Sequence, residues 1–219
     1  MHANGNFWEY FNTEAGPRLA HRETTFRAIF QHLDTLPGRL NIVETGCARV
    51  AGNWAGDGQS TVLFDRYVCA RDQDSACISV DLSAQSVAQC QSLVSERVRL
   101  VQDDSVHFLS QLAARMQQDR EKVDLLYLDS YDLDMVYWMP SAMHHLKELA
   151  AMMRCIDQHT LVVVDDCPWN ANTTSADAQS AQWFGSPSIG GKGRLIAEFA
   201  QACGAKLAFA HYQAGWTGF

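Results

Sequence analysis

The chain has no C-x-x-C pair, although it carries seven cysteines, Cys47, Cys69, Cys77, Cys90, Cys155, Cys167 and Cys203. An odd number at scattered spacings argues against a disulfide framework or a structural zinc site and for reduced thiols in a cytoplasmic protein. No apolar run reaches the roughly 18–20 residues that a membrane span needs. The first residues, Met1-His2-Ala3-Asn4-Gly5-Asn6, have neither the basic nor the apolar part of a secretory signal. Positive charge is scarce as well: 17 lysines and arginines face 25 acids, for a net charge of −8. Such a surface repels phosphate backbones and anionic lipid, which argues against nucleic acid or a membrane as partner. There is no internal repeat and no low-complexity tract. What remains is 219 residues, 47% of them hydrophobic, enough for one sizeable α/β domain over 1–219.

The first 40 residues read as a helical segment, with Phe26, Ile29, Phe30 and Leu33 at helical spacing, and this segment is expected to cover the active site. After Gly38 the chain alternates. Short apolar runs at 41–44, 77–81, 98–102, 123–129 and 160–165 read as strands, followed by 206–212 and a short seventh at 216–219. Helices are predicted at 60–68, 83–95, 105–117, 141–153 and 192–203. Continuous apolar strands alternating with helices predict a doubly wound, Rossmann-like, mostly parallel seven-stranded sheet covered on both faces, with an antiparallel edge at the C-terminal end. Ligands of such sheets lie beyond the carboxyl ends of the strands.

The chemistry-bearing residues sit at those ends. Gly46 closes the first strand, where glycine permits a sharp turn and close approach of the backbone to a ligand. Its loop does not spell G-x-G-x-x-G, so the dinucleotide fingerprint is missing. Asp81 ends the second strand, where an acid takes a ribose diol or, more plainly, caps a helix. Asp103-Asp104-Ser105 follow the third strand; a carboxylate there accepts from an adenine amino group or caps the next helix. Asp129 ends the fourth strand and Asp165-Asp166 the fifth. Three carboxylates converging there repel one another unless one is protonated or a cation sits between them. Hard oxygen ligands suit Mg²⁺, or Mn²⁺ and Ca²⁺. His144, of the pair His144-His145, is the candidate general base, with Tyr131 and Asp132 as competitors. Trp54, Trp138, Trp169 and Trp183 offer flat faces near the ligand side, packing being the plainer role. Gly190-Gly191-Lys192-Gly193 lacks the Ser or Thr of a phosphate loop and reads as a flexible lead-in to the last helix. The G-x-S-x-G elbow of a serine hydrolase is absent.

Taken together these residues resemble the class I S-adenosylmethionine-dependent methyltransferases. Val43-Glu44-Thr45-Gly46-Cys47 looks like that family's first motif, Ser79-Val80-Asp81 like its ribose-binding strand end, and Asp103-Asp104-Ser105 like its adenine-binding step. The resemblance implies S-adenosyl-L-methionine held by Glu44, Thr45, Gly46, Cys47, Ser60, Thr61, Asp81, Asp104, Ser105 and Asp129. Asp124-Leu125-Leu126-Tyr127-Leu128-Asp129 and Val164-Asp165-Asp166 are similar to the segments that supply metal ligands in cation-dependent O-methyltransferases, with Asp166 where asparagine is usual. Catechol-type members place a lysine where this chain has Asp132. The stretch 141–148 looks more like bacterial enzymes acting on sugars, polysaccharides or other natural products. The implied reaction is O-methylation of a small-molecule or saccharide acceptor, with Asp129, Asp165 and Asp166 on Mg²⁺ and with Asp129 and His144 catalytic. A nicotinamide-dependent oxidoreductase and a non-catalytic cofactor-binding relative are the rivals. A homodimer is compatible with the sequence but not required by it.

Overall fold

The computed structural model describes residues 5–71, 74–168 and 189–219. Trp169, Trp183 and the stretch between them lie outside those residues. Seven strands, β1 (Asn41–Thr45), β2 (Ala76–Asp81), β3 (Val98–Gln102), β4 (Leu125–Leu128), β5 (Leu161–Val164), β6 (Lys206–Ala210) and β7 (Ala214–Thr217), form one sheet in the order β3-β2-β1-β4-β5-β7-β6. The first five pair in parallel. β7 pairs antiparallel with both β5 and β6, which gives the antiparallel C-terminal edge. The strand order reverses between β1 and β4, so the sheet's switch point lies at the ends of Thr45 and Leu128.

The helices are α1 (Gly5–Tyr10), α2 (Glu23–Thr35), α3 (Trp54–Asp57), α4 (Ser60–Arg71), α5 (Ala84–Gln91), α6 (Ser105–Asp119), α7 (Met139–Met152) and α8 (Arg194–Cys203). The two faces of the sheet carry separate cores because strand side chains alternate. Val43, Val80, Leu126, Leu128, Val162 and Val164 pack with α6, α7 and α8. Ile42, Cys77, Leu125, Tyr127, Leu161 and Val163 pack with α4 and the N-terminal helices, through Phe7, Phe11, Phe26 and Phe30. The aromatic cluster there is tight: Phe7 meets Phe30 at 4.5 Å and Tyr67 at 4.9 Å between ring centres. The N-terminal segment is thus an integral layer of the domain. Trp54 belongs to the same core, with the Arg18 guanidinium 4.8 Å from its ring centre, so its role is packing.

All seven cysteines are free thiols. No helix of the described residues is long and apolar enough to cross a membrane.

Candidate active site

The turn after β1 opens the site. Gly46 has φ +80°, and a Cβ there would lie 2.5 Å from the Asp129 carbonyl oxygen. Only glycine fits where β1 and β4 run out side by side. The turn is held by hydrogen bonds from Gly46 N to Val80 O, 2.8 Å, and from Cys47 N to Asp81 Oδ2, 3.2 Å. Asp81 Oδ1 accepts from Ser83 N at 2.7 Å, which fixes the carboxylate at the strand end.

Two adjoining cavities share Gly46, Asp81 and Ser130. One is lined by Cys47, Arg49, Asp57, Ser60, Ser83, Ser86 and Asp129, the other by Leu82, Asp104, Ser105, Tyr131 and His144. Gly46, Cys47, Ser60, Asp81, Asp104, Ser105 and Asp129 therefore all line these two cavities. Asp104 also caps α6, accepting from His107 N at 2.9 Å, so its plainer role is fulfilled too.

Three expected cofactor contacts are not in the cavity walls. Glu44, Thr45 and Thr61 are fully buried. Glu44 points between β1, β2 and α4, where its carboxylate accepts hydrogen bonds from Ser60 Oγ at 2.5 Å, Thr61 Oγ1 at 2.7 Å and Ser79 Oγ at 2.6 Å. Thr45 Oγ1 donates to Glu148 Oε2, 3.2 Å, and accepts from Asp129 N, 3.2 Å. Alternation along a strand buried on both faces sends these side chains into the protein, where they brace the turn. Burial pushes the Glu44 carboxyl up to about 7 against the three hydroxyl donors. The folded chain therefore binds more protons than the unfolded one between about pH 4.5 and 7. The stability tied to this proton is complete below that window and gone above it. Relative to Glu44→Gln, wild-type stability should fall by about 3 kcal/mol as pH rises across the window. Parallel pH-stability curves in urea titrations would refute this.

The long loop 48–59 has a clear internal logic. Asp57 Oδ2 accepts from Arg49 N at 2.9 Å, Val50 N at 3.3 Å and Gln59 Nε2 at 3.1 Å, and Asn53 caps α3. Ala48 N donates to Thr61 Oγ1 at 3.0 Å. Arg49 reaches out to Asp132 at 3.0 Å, which occupies the acid at the position where a lysine base is expected in catechol-type enzymes.

His144 lines the second of these adjoining cavities and Asp129 the first. Its Nε2 lies 2.9 Å from Ser105 Oγ and 3.3 Å from Glu148 Oε1, and its ring is 5.5 Å from Tyr131. The hydrogen bond to Glu148, which outweighs burial, raises its pKa. α7 thus places His144 beside Ser105, in the cavity of Asp104 that adjoins the cavity of Asp129. His145 points the opposite way into the core, fully buried, with Nδ1 2.7 Å from Ser141 O. Burial holds its pKa down at about 4, so it is a neutral, structural histidine.

The three acids at the ends of β4 and β5 do converge: one carboxylate oxygen from each of Asp129, Asp165 and Asp166 lies within 4.8 Å of the others. The cations between them come from the protein. Arg22 Nε donates to Asp165 Oδ2 at 3.0 Å and Oδ1 at 3.2 Å, and its NH2 lies 3.0 Å from Asp165 and 3.5 Å from Asp166. Lys192 Nζ bonds Asp129 Oδ1 and lies 3.0 Å from Asp166 Oδ2. Asp165 is buried, whereas about a fifth of the side chains of Asp129 and Asp166 stays exposed, at 21% and 22%. Burial raises the Asp129 carboxyl well above its usual range despite Lys192. For Asp166, Lys192 and Arg22 outweigh burial and hold the carboxyl at about 2. Asp166 also has φ +48°, a left-handed conformation that aspartate tolerates better than most residues.

Whether a divalent ion fits follows from this arrangement. Three carboxylates are the right donors for Mg²⁺. Both oxygens of Asp165, both of Asp166 and one of Asp129 are already bonded to Arg22 or Lys192. A divalent ion would have to displace Arg22 or Lys192 from these oxygens, so the site as built does not fit one in addition.

Sequence reasoning missed both cations. Arg22 has no pattern around it. Lys192 stood in a run read as a flexible lead-in, whereas Gly191–Gly193 is a tight turn that buries Lys192 completely. The glycines on both sides of the lysine were the available signal.

The family described as "Methyltransferase domain" matches residues 54–167, more than half of the chain. No curated protein matches. Among solved structures the chain is similar to the sugar N-methyltransferase KedS8 from a Streptoalloteichus species, at 15% identity over 73% of this chain and 51% of that one, TM-score 0.40. It is also similar to DhpI in complex with SAH (14% identity, 99% and 93% covered, TM-score 0.46) and in a complex with SAM and HEP (12%, 98% and 92%, TM-score 0.44). The chain spans about half the length of the first of these structures. With the family match over β2 to β5 and the sheet order above, the chain belongs to the methyltransferase domain family, in its class I S-adenosylmethionine-dependent form.

Proposed function

We propose that the chain transfers the methyl group of S-adenosylmethionine to a hydroxyl oxygen of a small-molecule or saccharide acceptor. The observation that carries this reading is the place of Asp129. Its carboxylate lines the cavity of Gly46, Cys47 and Asp81 on one side and belongs to the acid cluster at the ends of β4 and β5 on the other. In this reading the methionine part of the cofactor lies along Gly46 and Cys47, the ribose against Asp81, and the base near Asp104 and Ser105. The acceptor lies beyond Asp129.

The S–CH₃ bond breaks as the O–CH₃ bond forms in line, the electron pair of the broken bond stays on sulfur, and the acceptor proton passes to the Asp129 carboxylate. Rate comes mainly from holding oxygen, methyl and sulfur aligned. A carboxylate removed from bulk water is a stronger base than one in solution. The metal assistance expected from the sequence is not part of this reading, because Lys192 and Arg22 already sit on the carboxylates it needs.

The test is incubation with methyl-labelled S-adenosylmethionine and a panel of hydroxyl and amine acceptors, alongside calorimetry with S-adenosylhomocysteine and NADH. Label in a hydroxyl acceptor together with binding of S-adenosylhomocysteine is expected. Label only in amines would replace oxygen by nitrogen. Binding without any transfer would make the chain a non-catalytic relative.

A further inference from the structure

The acid cluster is closed by two side chains brought from opposite ends of the sequence, and the fold goes to some length to bring them. Lys192 is delivered by the turn Gly191–Gly193, whose backbone lies directly on the end of β5: Lys192 N donates to Asp166 O at 3.1 Å. Gly191 has φ +52°, and a Cβ there would lie 2.3 Å from that same carbonyl oxygen. A side chain at 191 would push the turn off the strand and withdraw the ammonium. Arg22 comes from the segment before α2, packed under the Tyr212 ring at 4.1 Å and bonded to the carbonyls of Ala55 and Gly56 at 3.3 and 3.4 Å. Neither cation is an incidental surface pair; the side chains of both are at least 96% buried.

We infer that the Lys192 ammonium is the resident cation of this site, standing in the place a divalent metal would take among these three carboxylates and positioning the Asp129 carboxylate. The enzyme then neither needs nor binds Mg²⁺ at Asp129, Asp165 and Asp166. Lys192 is a positioning residue: its ammonium is buried behind the carboxylates it holds, and it reaches the acceptor only through Asp129. A lysine in this role is fixed in number and geometry, whereas an exchangeable ion would leave the site dependent on its supply.

The experiment is Mn²⁺ binding to the full chain, followed by loss of the free-ion electron paramagnetic resonance signal, with wild type, Asp166→Asn, Lys192→Ala and Lys192→Ala/Asp166→Asn. Wild type is expected to leave the free signal undiminished. Lys192→Ala should gain on the order of 100-fold in Mn²⁺ affinity, as the repulsion from a neighbouring ammonium is lifted, and the second substitution should abolish the gain. Turnover of wild type should be unchanged by EDTA. Wild-type Mn²⁺ binding that Asp166→Asn removes, or a folded Lys192→Ala that binds no Mn²⁺, would overturn the inference. If Lys192→Ala does not fold, the wild-type arm decides alone. The inference rests on the proposed function only in naming Asp129 as the group positioned. The Mn²⁺ measurement uses no acceptor, so its failure leaves methyl transfer standing, and absence of methyl transfer leaves the Mn²⁺ result standing.

Discussion

Arg22→Met is expected to lower the free energy of unfolding by about 3–5 kcal/mol, the usual cost of stranding one member of a buried ion pair. Asp165 is 1% exposed and has both oxygens on the Arg22 guanidinium, so the substitution leaves a buried carboxylate without its bonded counterion. The loss should reach beyond the pair. Arg22 also holds the carbonyls of Ala55 and Gly56 and lies on Tyr212, so it ties the N-terminal layer to the loop 48–59 and to the turn before β7. Arg22→Lys should recover only part of the stability, because an ammonium cannot span the carboxylate and the two carbonyls as the planar guanidinium does. Arg22→Met/Asp165→Asn should be more stable than Arg22→Met, since it removes the stranded charge. Urea titrations followed by far-ultraviolet circular dichroism measure all three. A loss under about 1 kcal/mol for Arg22→Met, the range of an exposed pair, would show that the pair is not the buried brace described here.

Asp129→Asn is expected to reduce the rate of methyl transfer by about 10²–10⁴-fold, the usual contribution of a positioned general base. Asparagine keeps the size of the side chain and, like aspartate, presents an oxygen to Lys192, but it cannot take up a proton from the acceptor. Cofactor affinity should change far less, because the turn at Gly46 and the strand-end acid Asp81 are held by backbone hydrogen bonds that do not pass through the Asp129 side chain. Single-turnover measurements with labelled cofactor, beside calorimetry with S-adenosylhomocysteine, separate the two effects. A variant that transfers methyl at close to the wild-type rate would remove Asp129 from the chemistry and leave alignment as the whole of catalysis.

These two residues also mark how far the sequence could be read. The strands around Val43, Val80, Leu126 and Val163 were legible because each is a short apolar run between turn residues, and burial on both faces leaves that pattern no alternative. Gly46, Asp81, Asp104 and Asp129 were legible because a parallel sheet puts its ligand site at the carboxyl ends of its strands, and those residues stand there in the sequence itself. Direction was harder. Glu44 and Thr45 lie in the same short segment as Gly46, yet the alternation of the strand sends them inward. A family motif names a segment and does not say which of its side chains meet the ligand.

The sequence by itself determined the sheet, its layers and the line of strand-end residues along which a cofactor lies, because these follow from local pattern and from the geometry of parallel strands. Only the tertiary structure decided what stands between the acids. Asp129, Asp165 and Asp166 required a cation, and a reading along the chain could place a metal there. It could not place Arg22, 143 residues before Asp165, or Lys192, 63 residues after Asp129. Charge pairing across such distances depends on packing: the aromatic layer that seats the N-terminal segment and the glycine turn that lets Lys192 reach the end of β5.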